Sequence, residues 1–316
     1  AGQVVHFTKD GGRTWQWFEV PLPANALGLP ILDFHPQNSD WMIWTGSRGC
    51  DAGPSPDCHA EAYYTIDHGR RWNRIDNYVR VCSWLRDTKL KLNPRTIVCE
   101  SYSTKSGSQR SPAPGNHLQI ISGAEFYSKK TVLFNDAVAF ATFDEYFVVA
   151  KLVESSMTIR FEVSLNGKDW AEARFPPGIN IEHKAYTALD SSTDAIFLHV
   201  TTNSKPGSEL GTLFKSNSNG TYFSTSIEQV NRNANGYVDF EKMIGLNGIA
   251  LVNIVANANE AAVSGIKELQ TRITHNDGAR WKAVPQPARD SNGTPYKCVE
   301  VGCSLHLHGY TERDEP

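Results

Sequence analysis

The sequence lacks a long hydrophobic run, a strong net charge and a sustained helical rhythm, and each absence removes a class of function. No apolar stretch approaches the roughly 20 residues a membrane helix needs. The 31 basic and 34 acidic residues leave a net charge of −3. That balance gives no electrostatic footprint for nucleic acid or an anionic membrane as the main partner. The opening AGQVVHFTKDGG has no initiator Met, charged n-region or apolar h-region. It reads as the middle of a strand, so a mature fragment is expected, with any signal or anchor outside the chain. No Ser-His-Asp signature, phosphate loop or dinucleotide fingerprint occurs, and no cofactor is implied.

What is present is a repeat. Eight residues recur as Ser/Thr, any, Asp/Asn, any, Gly, any, any, aromatic. The copies run from Thr8 through Asp10 and Gly12 to Trp15, and from Thr65 through Asp67 and Gly69 to Trp72. They continue from Ser216 through Ser218 and Gly220 to Phe223, with Ser in place of the acid, and from Thr274 through Asn276 and Gly278 to Trp281. A degenerate copy from Val163 keeps Gly167 and Trp170. The five glycines are 57, 98, 53 and 58 residues apart. The long interval is two periods, so one repeat has lost its box, at Ser122-Gly123-Ala124-Glu125. A period in the fifties suits a four-stranded blade.

The box is chemistry for a hairpin turn. Its Asp or Asn accepts nearby backbone N–H groups, and its Gly supplies a positive φ. Its aromatic is expected to pack between neighbouring sheets. A group that recurs in every blade is a turn former, whereas a binding site is usually single, so Asp10, Asp67 and Asn276 are read as structural. Between boxes, Ala195–Val200, Ile249–Val255 and Thr271–Thr274 read as strands, and Ser226–Asn231 as a single helical turn. The fold class is therefore all-β, an Asp-box propeller arc of about six blades.

Cys50, Cys58, Cys82, Cys99, Cys298 and Cys303 fall into three local pairs. Pairings 50–58, 82–99 and 298–303 are favoured among the 15 that six cysteines allow. With the sequons at Asn219 and Asn292, they point to an oxidising, secretory compartment. His306-Leu307-His308 beside Cys298 and Cys303 invites a zinc reading, but cysteines that pair in such a compartment leave no thiolates, so no metal is expected. His59, His183 and His199 are candidates for a pH response by residue type. The rival class is a sialidase or another propeller glycoside hydrolase, which needs paired carboxylates or an activated Tyr. The nearest string to a sialidase motif, Ala173-Arg174-Phe175-Pro176-Pro177, has the wrong order.

Several segments resemble the Vps10/sortilin family of the fungal type. They are Trp41-Met42-Ile43-Trp44-Thr45-Gly46-Ser47-Arg48-Gly49-Cys50, Asp57-Cys58-His59-Ala60-Glu61-Ala62 and Lys215-Ser216-Asn217-Ser218-Asn219-Gly220-Thr221-Tyr222. Val238-Asp239-Phe240-Glu241-Lys242-Met243, Thr271-Arg272-Ile273-Thr274-His275-Asn276-Asp277-Gly278 and the ending Cys303-Ser304-Leu305-His306-Leu307-His308 complete the set. The resemblance implies that residues 1–316 are part of one ten-bladed propeller domain, lacking some blades and the cysteine-rich module. It implies a receptor that binds soluble vacuolar hydrolase precursors, such as carboxypeptidase Y, or their peptide tails. Such a receptor would be anchored in late Golgi and endosomal membranes outside this chain, with self-association left open. In animal members an Arg clamps the cargo carboxylate on the strand entering a box. Counting back from Trp170 puts Thr158 there, with Arg160 on the same strand face and Phe147 at an apolar tunnel wall.

Overall fold

A computed structural model describes residues 3–307 apart from 51–54, 86–91, 144, 154, 157, 180, 182–185, 193, 244 and 297–302. The chain divides into two units, residues 1–152 with 164–170, and residues 153–163 with 171–316. Within each, antiparallel strands follow one another in sequence and pair with their neighbours. The result is an all-β propeller fold.

The first unit opens with the hairpin β1 (Val4–Phe7) and β2 (Gln16–Glu19). A four-stranded sheet follows, in the order β3 (Leu32–Phe34), β4 (Met42–Arg48), β5 (His59–Thr65) and β6 (Asn73–Asn77). Next come β7 (Val79–Trp84), β8 (Ile97–Tyr102), β9 (Leu118–Gly123), β10 (Lys129–Phe143) and β11 (Tyr146–Val153). The long β10 changes partner midway. Residues 130–137 pair with β9, and residues 137–143 pair with β11.

The second unit contains β12 (Thr158–Ser164) and β13 (Ala171–Glu172). A meander of β14 (Tyr186–Ser192), β15 (Ala195–Asn203), β16 (Leu210–Ser216) and β17 (Phe223–Asn231) comes next. The same sheet continues through β18 (Phe240–Lys242), β19 (Ala250–Val255), β20 (Leu269–Thr274), β21 (Lys282–Pro285) and β22 (Ser304–Leu305), with β17 joined to β19 at Val230 and Ile254.

In the first unit a core lies between successive sheets. Ile43, Ala60 and Ile75 of one sheet meet Val79, Trp84 and Ile97 of the next. In the second unit Phe197, Leu213 and Val230 cluster with Val252 and Phe240, farther along the same sheet. Burial of such faces is the main favourable contribution to the fold, about 25 cal/mol per Å² of apolar surface.

The boxes form one turn design. In the second, Thr65 Oγ1 accepts the Gly69 N–H at 3.0 Å and donates to Asp67 Oδ1 at 2.8 Å, while Asp67 accepts the Arg71 N–H at 3.0 Å. The same bonds recur around Thr8, Asp10 and Gly12, and around Thr274, Asn276 and Gly278. Gly12, Gly69, Gly167, Gly220 and Gly278 all have φ between +66 and +87. Two copies differ from the sequence reading. In the copy at Ser216 a capping side chain is Asn217, one position before Ser218, and its Oδ1 accepts the Thr221 and Tyr222 N–H groups. In the copy read as degenerate, Ser164 and Asn166 make the bonds in a turn one residue shorter.

The box aromatics reach back onto the preceding strands. Trp72 donates to the Glu19 carbonyl, Trp281 to Ser226 Oγ, Trp170 packs edge-on to Phe134 at 4.7 Å, and Phe223 stacks on Phe175 at 4.6 Å. Trp15 departs from the expectation, being 61% exposed.

The missing box falls at the expected place. After Gly123 the chain makes one turn, α1 (Ala124–Tyr127), in which Glu125, Phe126 and Tyr127 all have positive φ. Phe126 stacks on Tyr64 at 5.1 Å and meets Trp41 edge-on, so it supplies the contact a box aromatic would make. The helical turn expected at Ser226–Asn231 is instead the end of β17. A bulge there sets Leu213 opposite Ile227 and Gly211 opposite Val230. Ile227 and Val230 thus share one face at a spacing of three, which mimics helical periodicity. The chain does contain one helix of seven residues, α2 (Ala258–Ser264), closed by Gly265 at φ +73.

Cys50 pairs with Cys58, and Cys82 with the residue directly opposite it, Cys99. Cys303 is disulfide-bonded; its expected partner Cys298 lies outside the described residues.

Candidate ligand-binding site

Thr158 and Arg160 sit at alternate positions of β12 and line one hollow of about 660 Å³. The hollow exists because β12 is covered only in part. Ala171–Glu172 pair with Val163 and Glu162, the Ala173 N–H reaches the Phe161 carbonyl, and the Ile159 N–H reaches the Ile181 carbonyl. Between those attachments the chain arches outward through Phe175 and Ile179, which form an apolar wall. Phe175 is fixed by Phe223 and by Phe214, the latter edge-on at 5.5 Å.

The polar groups of the hollow are varied. Ser156 and Thr158 hydroxyls bond each other at 2.6 Å. Arg160 Nη1 lies 3.6 Å from Glu172 Oε2, and both side chains are about half exposed. Such a pair is weak and exchangeable in water, so the guanidinium is available to an incoming carboxylate. Arg174 also faces the hollow. Its backbone is locked by the Thr221 carbonyl at 2.7 Å and by the Phe223 N–H at 2.8 Å. The sequence reading passed over Arg174 because it was weighed only as part of a failed sialidase motif. Its signal is a second arginine placed one strand beyond Arg160.

Phe147 is a correction. It has no exposed surface and packs against Trp170 at 4.9 Å and Phe140 at 5.8 Å, so it is a core residue with no face for a ligand.

The histidine expectations divide. His183 lies outside the described residues. His199 is fully buried, and burial pushes its pKa down to about 4, so it stays neutral between pH 7 and 5 and does not sense that interval. His59 is stacked on Tyr78 at 4.5 Å, with Nε2 3.2 Å from Glu61 Oε1 and Nδ1 2.7 Å from the Asp57 carbonyl.

The groups of the zinc reading are otherwise engaged where described. Cys303 is in a disulfide, and His306 Nδ1 accepts the Thr271 N–H at 3.2 Å; His308 lies outside the described residues. Asn219 and Asn292 are both exposed on turns.

A family model described as "Sortilin, neurotensin receptor 3" matches residues 1–316. A protein of Mycosarcoma maydis named vacuolar protein sorting/targeting protein 10 is 57% identical over 100% of this chain and 21% of its own length. Its namesake in Laccaria bicolor is 48% identical over 98% of the chain and 21% of its own length. The chain thus spans about a fifth of the length of these relatives. Among solved structures, one of two prolyl endopeptidases aligns over 89% of this chain and 38% of its own, with TM-score 0.51 and 11% identity. The β-propeller domain of the trilobed protease from Pyrococcus furiosus covers 90% of this chain and 75% of its own, with TM-score 0.47 and 12% identity. The whole-length match and the relatives' identities place the chain in the sortilin–Vps10 family.

Proposed function

We propose that residues 1–316 are part of the luminal propeller of a vacuolar sorting receptor, which binds soluble hydrolase precursors of the carboxypeptidase Y type for transport from the late Golgi to the endosome and vacuole. The receptor binds cargo rather than transforming it, and its membrane anchor lies outside this chain. The observation that carries this reading is the 57% identity, across the whole chain, to a relative named for vacuolar protein sorting and targeting. The hollow at Arg160 supports it with chemistry suited to a peptide: a weakly paired guanidinium, a second arginine, hydroxyls and an apolar wall.

The test is capture. Immobilised, the full chain should retain purified carboxypeptidase Y precursor at neutral pH and release it in acid. No retention overturns the receptor reading. Arg160→Glu should weaken retention about tenfold, the worth of roughly one charge-assisted contact. Undiminished capture by that variant moves the cargo site elsewhere.

A further inference from the structure

We propose that a second hollow, in the first unit, binds a carboxylate carried on a short aliphatic stem, gripped by Arg80 and Arg110 against a wall of Leu27 and Leu29. The hollow has a volume of about 460 Å³ and lies between the loop leading into β3 and the end of β8. It shares no residue with the Arg160 hollow and stands apart from the cargo reading.

Its walls are fixed in place. Asn25 Oδ1 accepts the N–H groups of Leu27 and Leu29 at 3.2 and 3.0 Å, and Asn25 Nδ2 donates to the Leu29 carbonyl at 3.0 Å. That wrap holds both leucines toward the hollow. The buried Gln109 ties its loop to two strands, accepting the Ala60 N–H at 2.9 Å and donating to the Val79 carbonyl at 2.7 Å. The Gln109 N–H bonds the Cys58 carbonyl, and Arg110 Nη2 the Cys50 carbonyl at 3.1 Å. The loop that presents Arg110 is therefore pinned to both halves of the Cys50–Cys58 disulfide.

The donors of the hollow are underused. Arg110 has no carboxylate within 4 Å among the described residues, and Cys50 takes only one of its N–H groups. Arg80 gives Nη1 to the Val138 carbonyl at 3.0 Å and holds Nε 3.6 Å from Glu100. Glu100 is itself buried, accepts the Phe140 N–H, and is pushed by burial toward its neutral form. Arg80 thus has only one partly committed carboxylate beside it, and Arg110 has none within 4 Å among the described residues. Burial also raises the Tyr102 pKa, keeping its hydroxyl a donor at the same hollow.

The ligand class follows from that inventory. A carboxylate matches the planar fork of Arg and needs few donors. A phosphate dianion set against two leucines would lose hydration that this site cannot replace. The aliphatic stem packs on Leu27 and Leu29.

Calorimetric titration of the full chain with glutarate, and with an acetylated and amidated tripeptide bearing one central glutamate, tests this. Saturable binding of glutarate alone supports the site and assigns it to a free organic acid. Binding of the glutamate peptide, with its glutamine counterpart at least tenfold weaker, supports it and assigns it to an acidic side chain of a partner. Arg110→Leu should weaken binding at least tenfold with the near-ultraviolet circular dichroism unchanged, and Arg110→Lys less. Should Arg110→Leu fail to fold, Ala26→Asp, which puts a fixed carboxylate at the exposed rim, should abolish binding instead. The proposal is overturned if neither probe binds, if these variants bind like the parent, or if inorganic phosphate binds tenfold more tightly than glutarate.

Discussion

Glu61 shows how much a single charged residue contributes here. It lies in the middle of β5 with its side chain only 4% exposed. Burial alone would raise its pKa. Hydrogen bonds from Arg48, Tyr63 and His59, with the charge of Arg48, more than offset that and hold it at about 2, against an ordinary 4.5. Because the folded pKa is the lower one, the stabilisation is present above about pH 4.5 and is lost as pH falls toward 2. The amount is roughly 3 kcal/mol. Glu61→Gln should lower the urea-unfolding free energy at pH 7 by about 2–3 kcal/mol and flatten its fall between pH 4.5 and 2. An unchanged midpoint at pH 7 would show that the cluster contributes nothing net. Gly278 is as strongly constrained, by shape. Its φ is +77, and an added Cβ would sit 2.9 Å from the Phe197 ring and 2.8 Å from Ser226 Oγ. Gly278→Ala combines left-handed strain with overpacking and should cost about 3 kcal/mol, read as a drop in thermal midpoint. Wild-type stability in this variant would mean that the neighbouring sheet yields freely.

At the scale of the element, the box hairpins were legible because their requirements are local. A hydroxyl, a carboxylate or amide oxygen and a glycine within eight residues satisfy one another without help from the rest of the chain. The two misread boxes show the limit of the pattern. Asn217 and Ser164 do the same chemistry one position away, and a fixed spacing rule passes over them. The strand at β17 was less legible still. Its bulge places Gln229 at φ +60, exposed, and the extra residue brings Ile227 and Val230 onto one face. Gln229→Gly should relieve the left-handed strain of about 1 kcal/mol and return part of it through the freer unfolded chain. A net gain of about 0.5 kcal/mol is the expected outcome in equilibrium denaturation. A loss above about 1 kcal/mol would mean that the Gln229 side chain, not the bulge backbone, holds the turn.

For the whole molecule, the recurrent features are contacts made backward along the chain. Trp72, Trp170, Phe223 and Trp281 each fasten a hairpin to preceding strands, and Phe126 does so where the box is missing. One repeat therefore both closes a turn and ties its hairpin to strands earlier in the chain, which suits a structure assembled from units that contact mainly their neighbours. The proposed cargo hollow arises where that regularity lapses. β13 has only two residues, so the chain beyond it leaves β12 partly uncovered beside Thr158 and Arg160.

The sequence by itself determined the blade period, the place of the lost box, the disulfides Cys50–Cys58 and Cys82–Cys99, and the family. These rest on short-range stereochemistry or on residue identity. Tertiary structure alone decided that Phe147 is core, that His199 is held neutral, and that Arg80 and Arg110 line one hollow though 30 positions apart. Burial and charge compensation depend on which distant strands come together, and no window of sequence contains both sides of such a contact.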